Sequence, residues 1–195
     1  MNVLLLIGPQ GSGNHIWSKV LTTWADSDYW VGHKKEPHSH LWNDMQYWKA
    51  WDFYEDTIIS ISCPFAVEGK TIFPDINTWK EIMNNRNIPH EIAVITRDKT
   101  INYNQNNRVR PVNNYLNSIE FIKKLEVDCF LSTETLLIYK EKYLDQLNKQ
   151  LNFPIKYDTM KLHNTLSQSF NEKYIKYVDE FGLDEQVHLV SGYNV

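Results

Sequence analysis

At 195 residues and a net charge of −4, the chain is long enough for one sizeable core, short for two, and without the basic balance of a general nucleic-acid binder. Its 42% apolar and 23% charged residues are those of an ordinary globular protein, and no run approaches the ~18 apolar residues of a membrane span. These figures predict a single domain over residues 1–195, soluble, with neither a membrane nor a nucleic-acid partner.

The chain opens on a short continuous apolar run, residues 3–7, with no basic stretch ahead of it as a signal peptide would have, so a cytoplasmic location is expected. A run of this length and branching is the mark of a strand buried on both faces of a parallel sheet. Gly8, Gly11 and Gly13 follow, and then Ile16, Trp17, Val20, Leu21 and Trp24 recur at helical spacing. Strand, glycine turn and helix in that order let backbone N–H groups converge on an anion at a helix N-terminus. The plainer alternative is a turn whose glycines serve only close packing. A nucleotide-hydrolase loop G-x-x-x-x-G-K-[ST] requires Lys at position 14 and Ser or Thr at 15, where this chain has Asn14 and His15.

Further on, the runs 57–62, 91–96 and 128–131 read as strands. Helices are expected from Asp75 or Asn77 to Met83, from Val112 to Leu125, and around Tyr143, Leu144, Leu147 and Leu151. Residues 102–107, polar and asparagine-rich, read as a loop; residues 170–181 read as a helix and 187–190 as a short last strand. Strands alternating with helices predict a three-layer α/β/α fold with a mainly parallel sheet, of the P-loop nucleotide-binding type, with ligands at the carboxyl ends of the strands. Cys63 and Cys129 sit in apolar surroundings and read as reduced thiols, with a disulfide left open. Of the seven tryptophans, Trp42, Trp48 and Trp51 are either core or the wall of an acceptor cleft.

The segment 6–15, LIGPQGSGNH, resembles the loop that binds the 5′ phosphosulfate of 3′-phosphoadenosine 5′-phosphosulfate (PAPS) in sulfotransferases, which in the heparan-type N-sulfotransferases has the form I-G-P-Q-K-T-G-T-T. The lysine of that motif falls on Gly11. Residues 32–38, GHKKEPH, are similar to the K-E-P-x-F segment of bacterial sulfotransferases, and residues 92–98, IAVITRD, to the strand ending in R-N-P. Residues 129–137 with the helix to 154 resemble the family's late strand, turn and helix.

The resemblance implies PAPS as co-substrate, no metal, and a small-molecule or carbohydrate acceptor. Gly11, Ser12, Gly13, Asn14 and His15 would hold the 5′ phosphosulfate, while Arg97, with Gln105, Asn104 or Asn102 in place of a serine, would hold the 3′-phosphate. Glu36 would be the base, with His38, His33 or His40 as alternatives, and Lys34 or Lys35 would supply the missing positive charge. His15 is a further catalytic candidate. Taken alone, residues 32–38 are also an ordinary solvated loop, and Arg97 an ordinary strand-end ion pair. Rival functions are a nucleotide or nucleoside kinase-like phosphotransferase, a non-catalytic nucleotide-binding module, and a metal site built from Glu36, His33, His38 and His40.

Overall fold

A computed structural model describes residues 1–21, 30–31, 48–53, 56–67, 70–109 and 114–168. The elements run β1 (Val3–Pro9), α1 (Asn14–Leu21), β2 (Trp30–Val31), β3 (Thr57–Cys63), β4 (Phe65–Val67), β5 (Lys70–Ile72), α2 (Ile76–Asn85) and β6 (His90–Thr96). They continue with α3 (Lys99–Val109), α4 (Tyr115–Ile122), β7 (Cys129–Ser132), α5 (Thr133–Tyr139), α6 (Glu141–Gln150) and α7 (Thr159–Gln168).

Five strands form a sheet in the order β2-β3-β1-β6-β7, every neighbouring pair parallel, while β4 and β5 make a separate antiparallel ribbon. All seven residues of β1 are buried because the strand is central and both its faces are covered. Val3, Leu5 and Ile7 point into a core with Trp79, Ile82 and Met83 of α2 and Ile122 of α4. Leu4 and Leu6 point the other way, into a core with Trp17 and Val20 of α1, Leu136 of α5, Leu144 of α6 and Leu162 of α7. Each such side chain contributes about 1.5–3 kcal/mol of transfer free energy, which is why β1 has no polar face to alternate with.

Local chemistry sets the element ends. Asp75 caps α2 by accepting from the Thr78 N–H, and Ser132 caps α5 by accepting from the Thr135 N–H. The buried Glu91 carboxylate in β6 accepts from the N–H groups of Asn152 (3.0 Å) and Phe153 (2.7 Å), docking the turn after α6. At the sheet edge, the Tyr143 hydroxyl accepts from Ser132 N–H and donates to Phe130 O, occupying ladder groups of β7.

Residues 102–107 are not a loop: they lie inside α3. No apolar periodicity announced this helix because its buried face is polar, made of Asn102, Gln105 and Asn106 at 1%, 3% and 2% exposure. The fourth helix is also shorter than the apolar spacing predicts, ending at Ile122 in a turn through Leu125. Cys63 and Cys129 are free thiols, on strands separated by β1 and β6. Among the described residues, no helix is long and apolar enough to cross a membrane. The segments expected at 170–181 and 187–190 lie outside the described residues.

From β1 the chain passes through α1 to β2 and β3 on one side, then returns to β6 on the other. The sheet order therefore reverses between β1 and β6, and ligands of open parallel sheets settle outside the carboxyl ends at such a point. Two segments meet there: the glycine turn after β1 and Arg97 after β6.

Candidate functional site

The glycine turn is held from behind, carbonyl by carbonyl. The Gly8 O accepts from Asn14 Nδ2 (3.4 Å), the Pro9 O from the Ser12 N–H (3.0 Å), and the Gln10 O from Asn106 Nδ2 (2.6 Å). Next, the Gly11 O accepts from Arg97 Nη1 (2.9 Å), the Ser12 O from Thr133 Oγ1 (2.8 Å), and the Gly13 O from the Trp17 N–H (3.0 Å). In a trans peptide the following N–H points opposite to the carbonyl. The amides of Gly11, Gly13 and Asn14 are therefore turned away from α3, α5 and the body of α1 respectively. None of these amides donates to a described residue. The His15 N–H adds a further donor of the first helical turn, where the partial positive charge of the helix also falls.

Two glycines are needed for this path. Gly11 has φ +85° and Gly13 φ +109°, the left-handed region that costs other residues strain. A Cβ at Gly11 would also lie 2.8 Å from Gln105 Oε1, and one at Gly13 would lie 2.9 Å from Thr133 Oγ1. The position where the sulfotransferase motif has lysine is thus built here for a residue without a side chain.

The side chains expected to touch the ligand are largely spent on the turn itself. Ser12 is fully buried, and its Oγ donates to Asn14 Oδ1 (3.1 Å). Asn14 is 6% exposed, and its Nδ2 also donates to Ser62 Oγ at the end of β3 (2.9 Å). Ser12 and Asn14 act in this conformation as internal braces, with the Asn14 backbone N–H left in the cradle. Arg97 Nη1 bonds Gln105 Oε1 (2.8 Å) as well as the Gly11 O, so the pair expected to hold a 3′-phosphate is brought together and joined to the turn.

Glu36, Lys34, Lys35, His33, His38, His40 and Trp42, with the side chain of His15, lie outside the described residues. Trp48 and Trp51 do not wall a cleft at the site. Their carbonyls accept from Arg86 Nη1 at the end of α2, just ahead of β6 and so at the amino end of the sheet, and Trp48 is fully buried. Among the described residues, no group of three or more His, Cys, Asp or Glu side chains is gathered to hold a metal.

Asn106 and Thr133 brace the candidate site without having been expected there. The signal for Asn106 was present: amide side chains at positions 102, 105 and 106 share one helical face, a polar counterpart of the apolar stripe. Thr133 carries no such signal, since only the approach of β7 to α1 brings it to Ser12. Comparison of the chain with protein families, curated proteins and solved structures found no match.

Proposed function

We propose that the glycine turn belongs to a P-loop-type nucleotide site and that the chain transfers a sulfuryl group from PAPS to a hydroxyl or amine of a small molecule or glycan. The observation carrying this reading is the six-carbonyl clamp from Gly8 to Gly13, which leaves the amides of Gly11, Gly13 and Asn14 as a preformed anion cradle at a helix N-terminus. Preorganised amides stabilise charge developing on the bridging oxygen without reorganising during the reaction.

In the proposed reaction the acceptor oxygen or nitrogen attacks sulfur in line. The bond from sulfur to the 5′-phosphate oxygen breaks, adenosine 3′,5′-bisphosphate departs, and the acceptor proton passes to Glu36 or a neighbouring histidine. Lys35 or Lys34 supplies the ammonium that Gly11 cannot. Arg97 holds the 3′-phosphate while bracing the Gly11 carbonyl.

Calorimetric titration tests this directly, with adenosine 3′,5′-bisphosphate and adenosine 5′-phosphate against wild type and Arg97→Ala. The expected result is saturable binding with a preference for the bisphosphate that Arg97→Ala abolishes. Equal losses for both nucleotides would reduce Arg97 to a brace, and no binding of either would sink the nucleotide reading. Bisphosphate binding without sulfuryl transfer across an acceptor panel would leave a binding module, and magnesium-dependent ATP turnover would move the chain to the kinase-like class.

A further inference from the structure

A cleft of about 310 Å³ opens on the α4 side of the switch point, and of its lining only Arg97 has a role in the proposed chemistry. Its floor is aliphatic, from Val94 on β6 and Ile119, Ile122 and Leu125 on and after α4, and its aromatic walls are Tyr115 and Phe130. Pro9 and Asn102 close it toward the glycine turn. Arg97 and Lys123 stand at its polar rim, Lys123 paired with the exposed Glu120 carboxylate at 2.7 Å, and no carboxylate is itself among the described lining residues. Volume, apolar lining and a few convergent polar groups at a switch point are the attributes of a small-molecule pocket. Phe130 is 60% exposed although it carries the largest side chain of β7, so the wall it forms is open to an incoming ring.

We propose that this cleft is a binding site for a small, flat, apolar compound bearing one anionic group, the ring lying against Phe130 and the aliphatic floor and the anion facing Arg97 and Lys123. The site is distinct from the amide cradle. It lies on the side of the turn where the carbonyls of Gln10 and Gly11 are held by Asn106 and Arg97, whereas the free amides face the other way. Arg97 is shared with the 3′-phosphate role proposed above, so a bound bisphosphate would compete for its guanidinium, whereas the ring site on Phe130 and the aliphatic floor does not depend on what the cradle takes.

The test uses a matched pair of probes with one ring system, naphthalene-2-carboxylate and naphthalene-2-methylammonium, followed by ligand-observed NMR. Wild type is expected to bind the carboxylate saturably with a dissociation constant of about 1 mM or tighter, the value for a ligand of that size at ordinary efficiency, and the ammonium at least tenfold more weakly. Ile119→Trp, which fills the floor, should weaken the carboxylate at least tenfold. Lys123→Gln, at the exposed rim, should narrow the preference between probes without touching the floor. Far-UV circular dichroism and the melting midpoint establish that each variant is folded, and Phe130→Ala serves if Ile119→Trp is not. Failure of wild type to bind either probe, equal affinity for both, or undiminished binding in the filled variant would each overturn the proposal.

Discussion

Thr133→Val removes one hydroxyl and strands two buried groups. The Thr133 Oγ1 donates to the Ser12 O at 2.8 Å and accepts from Trp17 Nε1 at 3.1 Å, and all three residues are fully buried. Valine keeps the shape and offers neither bond. A buried polar group left without a partner costs about 1–3 kcal/mol, so even the low end for two such groups is about 2 kcal/mol. For a domain of this size that lowers Tm by roughly 4–8 °C. Thr133→Ser is the control, since it keeps both bonds and loses only a methyl group, about 0.8 kcal/mol. The assay is thermal unfolding by far-UV circular dichroism, with calorimetric titration of adenosine 3′,5′-bisphosphate in parallel. The Ser12 carbonyl fixes the peptide that aims the Gly13 N–H, so the valine variant should bind roughly tenfold more weakly, the loss of about one amide contact. A valine variant melting with or above the serine variant would refute the assignment of Thr133 as the brace of the turn.

Gly11→Lys installs the lysine of the sulfotransferase motif that the turn resembles, yet it should destabilise the fold and weaken the proposed nucleotide binding. With φ at +85° and a Cβ 2.8 Å from Gln105 Oε1, the left-handed strain alone costs about 1–2 kcal/mol, read as a lower urea midpoint. Both cysteine thiols are pushed up to about 12, Cys63 by burial and Cys129 by burial and then the nearby Glu91 and Asp128 carboxylates. Neither should react with Ellman's reagent at about pH 8 until the chain is unfolded, and rapid labelling of the folded protein would contradict that. Glu141 is held below its ordinary value near 4.5, chiefly by its own backbone N–H and then by His163, which it meets at 2.5 Å. A lowered carboxylate pKa contributes stability that is present above the ordinary value and lost as pH falls through the folded one. Urea midpoints should therefore decline below pH 4.5, less steeply in Glu141→Gln than in wild type.

The fold was legible where burial is apolar. The run at residues 3–7 announced a doubly covered central strand, and the spacing of Ile16, Trp17, Val20 and Leu21 announced the helix behind it, because the apolar contacts of those residues are what define the elements. The cap of α2 was legible to within two residues, as Asp75 or Asn77, and the carboxylate that fills it is that of Asp75, 3.0 Å from the Thr78 N–H. What escaped was burial of the opposite kind. Among the described residues of α3, the partners of Asn102, Gln105 and Asn106 are polar: the carbonyl of Gln10, Arg97, and one another.

That polar helix also changes what the glycine turn requires. A turn whose carbonyls faced water would have many paths open to it, and its amides would have no fixed aim. Here Asn106, Arg97 and Thr133, on elements far from the turn in sequence, fix successive carbonyls at Gln10, Gly11 and Ser12. The entropy of ordering the turn is then met during folding rather than during ligand binding. Glycine at position 11, where the motif the turn resembles has a lysine, is from this side a condition of the clamp: only a residue without a Cβ leaves Gln105 its place beside Arg97. The positive charge brought to the turn from the end of β6 therefore sits behind the cradle, on Arg97, where it orients the Gly11 peptide.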